Sequence, residues 1–132
     1  MFLHLSSSDS QDLYPQNNPY DFVTELPLSI DTDEDNWYCG LVAFVQSRST
    51  DDVTVLCNIV DTSYIRGKYR TVLRQINNTG TYFGDVSNIQ YMGVRVPRIN
   101  RIHIQIVDSV TMEPLTPVAD TETRLVLHLK KL

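Results

Sequence analysis

The stretch Asn100-Arg101-Ile102-His103-Ile104-Gln105-Ile106-Val107-Asp108 decides the fold. Isoleucine recurs at every second position from Ile102 to Ile106, and Arg101, His103 and Gln105 fill the places between. Successive side chains of a strand point to opposite faces, whereas a helix would scatter these residues around its axis. β-Branched residues also pack well on a pleated surface. The spacing therefore predicts a central strand with its isoleucines in a core. The basic-polar row would face water or another subunit.

The rest of the chain supplies material to cover those isoleucines. Residues 123–130 set Leu125, Leu127 and Leu129 against Arg124, Val126, His128 and Lys130. Residues 37–46 form the strongest apolar run, with Trp37, Cys39, Leu41, Ala43 and Val45 on one face and Val42 and Phe44 on the other. Residues 53–60 put Val53, Val55, Cys57 and Ile59 on one side. Shorter alternating segments at 1–6, 21–26, 70–76 and 89–96 complete eight expected strands, with Pro27 weakening the far end of the second or marking a sheet edge. Between them lie a Ser-, Asn- and Pro-rich loop (6–19), an acidic turn (31–36), turns at 47–52 and 77–80, and a loop at 108–120. No window longer than two turns favours a helix over alternation. The pattern predicts a single all-β domain over residues 1–132, an eight-stranded antiparallel β-sandwich. The uneven loops favour a jelly roll over an up-and-down barrel.

With 132 residues and a net charge of -5, the chain lacks the basic excess usual for nucleic-acid readers. The charge is split. Residues 1–62 hold eleven acidic residues and one basic, Arg48, while residues 63–132 hold ten basic and five acidic. Opposite charge on two regions suits packing between copies of one chain, although two solvated surfaces would read the same way. No apolar run approaches the roughly 20 residues a membrane span needs. Met1-Phe2-Leu3-His4-Leu5 lacks the basic start of an export signal, so Cys39 and Cys57 are expected as free thiols, small buried hydrophobes in a reducing compartment. A cross-strand disulfide is the lesser alternative.

The search for chemistry finds no convergent set. His4, His103 and His128 each alternate with aliphatics, which suits the polar faces of strands, and no metal-ligand spacing links them. Ser6, Ser7 and Ser8 lie in a loop without a nucleophile elbow, and the five glycines are scattered singly. Asp31, Asp33 and Asp35 resemble the start of a calcium loop, but Trp37 follows in place of the required glycine turn and later glutamate, so a solvated turn is the better reading. The sequon Asn77-Asn78-Thr79 is discounted for want of an export signal. Catalytic residues, metal ligands and cofactors are not expected, and neither is enzyme activity. Arg66, Lys68, Arg70 and Arg74, with Tyr64 and Tyr69 among them, form a basic patch of a kind that can touch nucleic acid or an acidic neighbour.

A family resemblance rests on the two ends of the chain. Tyr14-Pro15-Gln16-Asn17-Asn18, then Phe22-Val23-Thr24-Glu25-Leu26-Pro27, then Ile30 and Asn36-Trp37-Tyr38-Cys39-Gly40-Leu41 resemble the opening of penton-type minor capsid proteins of Polinton and adintovirus elements. The closing segments, Ile102-His103-Ile104-Gln105-Ile106 and Thr123 to Lys131, are similar to theirs as well. The resemblance implies a single jelly roll that forms homopentamers at the vertices of an icosahedral shell, beside a major capsid protein. It also implies a virion component made in the host cytoplasm or nucleus and not secreted. Many relatives carry long insertions or extra domains, whereas this length leaves room for the jelly roll alone, so a receptor-binding tower is not expected. In such a ring the acidic segment (Asp31, Asp33, Glu34, Asp35) of one copy would face the basic segment (Arg66, Lys68, Arg70, Arg74) of the next. The alternative is a ligand-binding β-sandwich whose loops recognise carbohydrate or protein.

Overall fold

The computed structural model describes residues 1–33, 36–46, 52–77, 85–117 and 121–132. Among these residues there are ten strands and no helix: β1 (Phe2–Ser6), β2 (Asp21–Asp31), β3 (Trp37–Gln46), β4 (Val53–Cys57), β5 (Ser63–Ile65), β6 (Lys68–Arg70), β7 (Val72–Ile76), β8 (Tyr91–Gly93), β9 (Arg98–Asp108) and β10 (Thr123–Lys131). Eight of them form two four-stranded antiparallel sheets, one in the order β1-β10-β3-β8 and the other β2-β9-β4-β7. The last two, β5 and β6, pair only with each other. Parts of the expected turns at 31–36, 47–52 and 77–80, and of the loop at 108–120, lie outside the described residues, as does most of the sequon.

The inner faces of the two sheets meet over one core. Ile102, Ile104 and Ile106 of β9 and Leu125, Leu127 and Leu129 of β10 are all buried there, with Phe22, Leu41, Val55 and Leu73. Burial of roughly 25 cal/mol per Å2 of apolar surface is the main force closing such a sandwich. Cys39 and Cys57 are buried free thiols in this core. Desolvation raises the pKa of both, that of Cys57 to about 12.

Three features depart from simple alternation. The expected count of eight strands is corrected to ten, because residues 63–70 form a hairpin. Arg66 (φ 51) and Gly67 (φ 80) turn the chain between Ile65 and Lys68. Two consecutive positive-φ residues are what a tight two-residue hairpin needs, and arginine at the first of them gives little warning in a sequence. Second, the expected inward face of β3 changes phase. Ala43 pairs with Val126 and Leu41 with Leu127, so Val42 is an extra residue. Beyond this bulge Phe44 and Gln46 point inward and are buried, while Ala43 and Val45 are only half-buried. Third, β2 runs through Pro27 to Asp31. Its register with β9 jumps between Glu25↔Arg101 and Ile30↔Ile99, so four residues bulge where β9 has one.

A second, smaller apolar cluster lies on the outer side of the β2-β9-β4-β7 sheet. Leu56, Val107 and Met112 are buried there, with Ile65 and Val72 packed against them. Ile65 thus anchors the β5–β6 hairpin onto the sandwich.

Candidate functional site

The loop 7–20 carries the chain from β1, the edge of one sheet, to β2, the edge of the other. An exposed sheet edge is a template for pairing with another chain, and here the loop occupies it. Val23 donates its N–H to Asn17 Oδ1 at 3.0 Å, and Asn17 Nδ2 donates back to the Val23 carbonyl at 2.9 Å. Glu25 donates its N–H to Ser10 Oγ at 3.1 Å. Tyr14 donates its hydroxyl to Glu25 Oε2 at 2.6 Å, and that bond to a carboxylate raises the phenol pKa. The edge is filled as far as Glu25; beyond it the bulge begins, with Leu28 82% exposed.

This flank is acidic. Residues 1–33 carry Asp9, Asp12, Asp21, Glu25, Asp31 and Asp33 and no lysine or arginine. The polar face of β9 meets two of them: Arg101 Nε lies 3.8 Å from Glu25, and His103 Nε2 lies 2.5 Å from Asp21. Asp31, the last residue of β2 rather than part of a loop, and Asp33 make no ion pair among the described residues. Asp31 Oδ1 instead accepts the Asp33 N–H at 3.0 Å. Glu34 and Asp35 lie outside the described residues, so the three-aspartate set considered for calcium is not described as a whole.

Of the basic residues, Arg74 lies on β7, and Arg66, Lys68 and Arg70 ride on or beside the β5–β6 hairpin, which packs over the outer side of the β2-β9-β4-β7 sheet. β7 is the far edge of the same sheet, with β9 and β4 between it and β2. Three inter-strand spacings of about 4.8 Å separate the two edges by roughly 14 Å, well beyond ion-pair reach. Arg66 and Lys68 are exposed on the hairpin and make no ion pair among the described residues. Arg70 is half-buried, and its Nε is buried without a hydrogen-bond partner. Arg74 is used internally, its two Nη groups donating to the carbonyls of Asn88 (2.7 Å) and Ser87 (3.1 Å). Tyr64 and Tyr69 stand out from the hairpin, their rings edge to face at 5.5 Å. A groove of ≈ 400 Å3 runs between the hairpin, β7 and Gln90–Met92.

Sequence reasoning singled out the charged residues and missed Leu28, whose two-residue spacing with Leu26 and Ile30 reads as an inward position that the bulge overturns. It also missed a cluster on the outer face of the β1-β10-β3-β8 sheet. Phe2 stacks on His128 at 4.5 Å, and Tyr91 Oη lies 2.8 Å from His128 Nδ1. Lys130 Nζ sits 3.8 Å above the Tyr91 ring. Tyr91 lies this close because its cross-strand partner is Gly40: a Cβ there would come within 2.7 Å of Ile89 Cγ2 and 3.0 Å of the Tyr91 ring.

Acidic residues thus border β2 and the loop before it, and basic residues lie on the hairpin and on β7. No protein-family model matches the chain, and no curated protein matches it. A solved structure does: the crystal structure of the mavirus penton protein superposes with a TM-score of 0.71 at 8% identity, covering 99% of each chain. The resemblance to a penton-type protein read from the sequence is thus found again in three dimensions, as a shared fold.

Proposed function

We propose that this chain is a structural protein of a virus or virus-derived element, a single jelly-roll penton-type subunit that joins copies of itself into a ring within the virion shell. The observation that carries the reading is the match in fold to the mavirus penton protein along 99% of both chains. The strand order supports the jelly-roll reading. Apart from the step from β4 to β7, each successive strand of the eight switches sheet, and the β5–β6 hairpin is inserted at that step. The charge split supports self-association: a ring joins two different surfaces of the same chain, and acidic residues along β2 and basic residues on the hairpin and β7 offer two such surfaces. The homopentamer and a major capsid protein as neighbour belong to the same reading, which calls for no catalysis, cofactor or membrane.

Size-exclusion chromatography with light scattering tests it. A species of five times the chain mass is the expected result, and a protein that stays monomeric at every concentration overturns it. The other reading, loop-borne recognition of carbohydrate or protein, draws on the exposed Tyr64–Tyr69 pair; it predicts such a monomer together with binding to a glycan panel.

A further inference from the structure

We propose that the groove between the β5–β6 hairpin, β7 and Gln90–Met92 binds a neutral, hydroxyl-rich ligand, a mono- or disaccharide unit of a glycan. Tyr64 is its stacking platform, and Gln75, Asn77 and Gln90 are its polar contacts. The site is additional to the proposed ring and does not depend on it.

The fold builds the groove from segments that are distant in the chain. Ile65 packs against Leu56, Val107 and Met112 and so fixes the hairpin over the outer side of the β2-β9-β4-β7 sheet. Ser63 and Tyr64 of the hairpin then line one space with Val72 to Gln75 of β7, and Gln90 and Met92 line it too. Its volume of ≈ 400 Å3 is at the lower end of the roughly 300–1,000 Å3 of ligand pockets, which suits a small ring system better than a folded partner.

The lining decides what the ligand is. No aspartate, glutamate or lysine lines the groove among the described residues, and the one cation there, Arg74, already donates to the carbonyls of Asn88 and Ser87. Anions are held by sets of charged donors and cations by carboxylates, and the groove offers neither set. Gln75, Asn77 and Gln90 are exposed, and their amides make no hydrogen bond among the described residues. Each amide presents a donor and an acceptor in one plane. Neighbouring hydroxyls of a sugar also donate and accept, so they match such amides in both roles, whereas an aliphatic ligand would leave the amides dry and unpaired. The apolar part of the lining, Ile65, Val72 and Met92, is half-buried and can cover the C–H face of a sugar ring. Tyr64 is 69% exposed, and Tyr69 packs edge to face with it at 5.5 Å, which braces the ring before a ligand arrives. A tyrosine held in this way gives a large amphipathic contact at low entropic cost.

Saturation-transfer difference NMR on the whole chain tests the site. The probes are the methyl glycosides of glucose, galactose, mannose and N-acetylglucosamine, with that of N-acetylneuraminic acid as the charged comparison. At least one neutral glycoside should receive saturation, with a Kd of about 0.1–10 mM as befits an open groove with few contacts, and the acidic sugar should bind no more tightly. Tyr64→Ala and Gln90→Ala should each weaken binding at least about fivefold, with the melting temperature unchanged. Gln90 lies outside the hairpin, so its variant answers even if Tyr64→Ala disturbs the turn. Failure of every neutral probe, tighter binding of the acidic one, or binding that neither variant weakens overturns the site. Light scattering on the same samples keeps the ring apart from the groove. Assembly without sugar binding removes the groove and leaves the ring, whereas a monomer that binds sugar removes the ring and leaves the groove.

Discussion

Ile104 is fully buried on β9, between β2 and β4 and against the opposite sheet. Replacing it with alanine removes a branched aliphatic side chain from the core, and Ile104→Ala should cost about 2–5 kcal/mol in denaturant unfolding. The thiols give a second check. Burial holds Cys39 and Cys57 as neutral thiols, so a thiolate-seeking reagent should label neither in the native protein and both after denaturation. His128 gives a third. Burial lowers its pKa below the ordinary 6.5, helped by the nearby Met1 ammonium and Lys130. The other groups around it are the Tyr91 hydroxyl and the Phe2 ring, with His4 further along β1 and no acid among them. The unfolded chain therefore binds this proton more readily than the folded one. The neutral imidazole contributes its full stability above pH 6.5, and that contribution is lost as pH falls below it. A melting-temperature series should fall on acidification over this range, and His128→Gln should flatten that part of the decline.

At the scale of elements, the protection of the β2 edge is the feature most open to test. Asn17 satisfies both polar groups of Val23 through one side-chain amide, so Asn17→Ala leaves a donor and an acceptor on a half-buried edge. A loss of about 1–3 kcal/mol is expected. Light scattering should also show more association on heating, since the opened edge offers a strand template. The long strands were legible because they alternate: the Ile102–Ile106 and Leu125–Leu129 rows, and the run 37–41, all point as the spacing requires. What alternation could not show is where a strand slips by a residue. The extra residue at Val42 moves Phe44 into the core and Val45 out of it, and nothing in a uniformly apolar run marks that position. The hairpin at 63–70 was hidden for a different reason: strands of three residues carry too little pattern, and its turn uses arginine where glycine, asparagine or aspartate would be the usual sign. Charge on the two flanks was readable from composition, because acids cluster before residue 62 and bases after it. Their placement was not, since it depends on β9 and β4 coming between β2 and β7 and on the hairpin folding over the outer side of that sheet.

For the molecule as a whole, the proposed ring would divide the work of assembly between charge and apolar contact, and their magnitudes say how. Exposed ion pairs contribute about 0–1 kcal/mol each and are screened over roughly 8–10 Å in ordinary salt. In the proposed ring apolar contacts must then supply most of the affinity, while charged residues such as Asp31, Asp33, Arg66 and Lys68 would set register and association rate. The test must avoid Arg74, whose guanidinium holds the backbone at Ser87 and Asn88, because reversing it would damage the fold as well as the flank. If acidic and basic segments of neighbouring copies face each other, reversing Arg66 and Lys68 to glutamate removes two attractions and adds repulsion against the neighbour's acids. Assembly should weaken by about 1–2 kcal/mol, a factor of roughly 5–30 in the equilibrium, with the monomer folded as before. Adding Asp31→Lys and Asp33→Lys to the same chain restores opposite signs across the contact and should recover most of the loss. Both effects should shrink as salt rises. If the reversed chain assembles like the parent at low salt, the contact between copies is set by shape and apolar area alone, and the acidic and basic segments owe their charge to solubility.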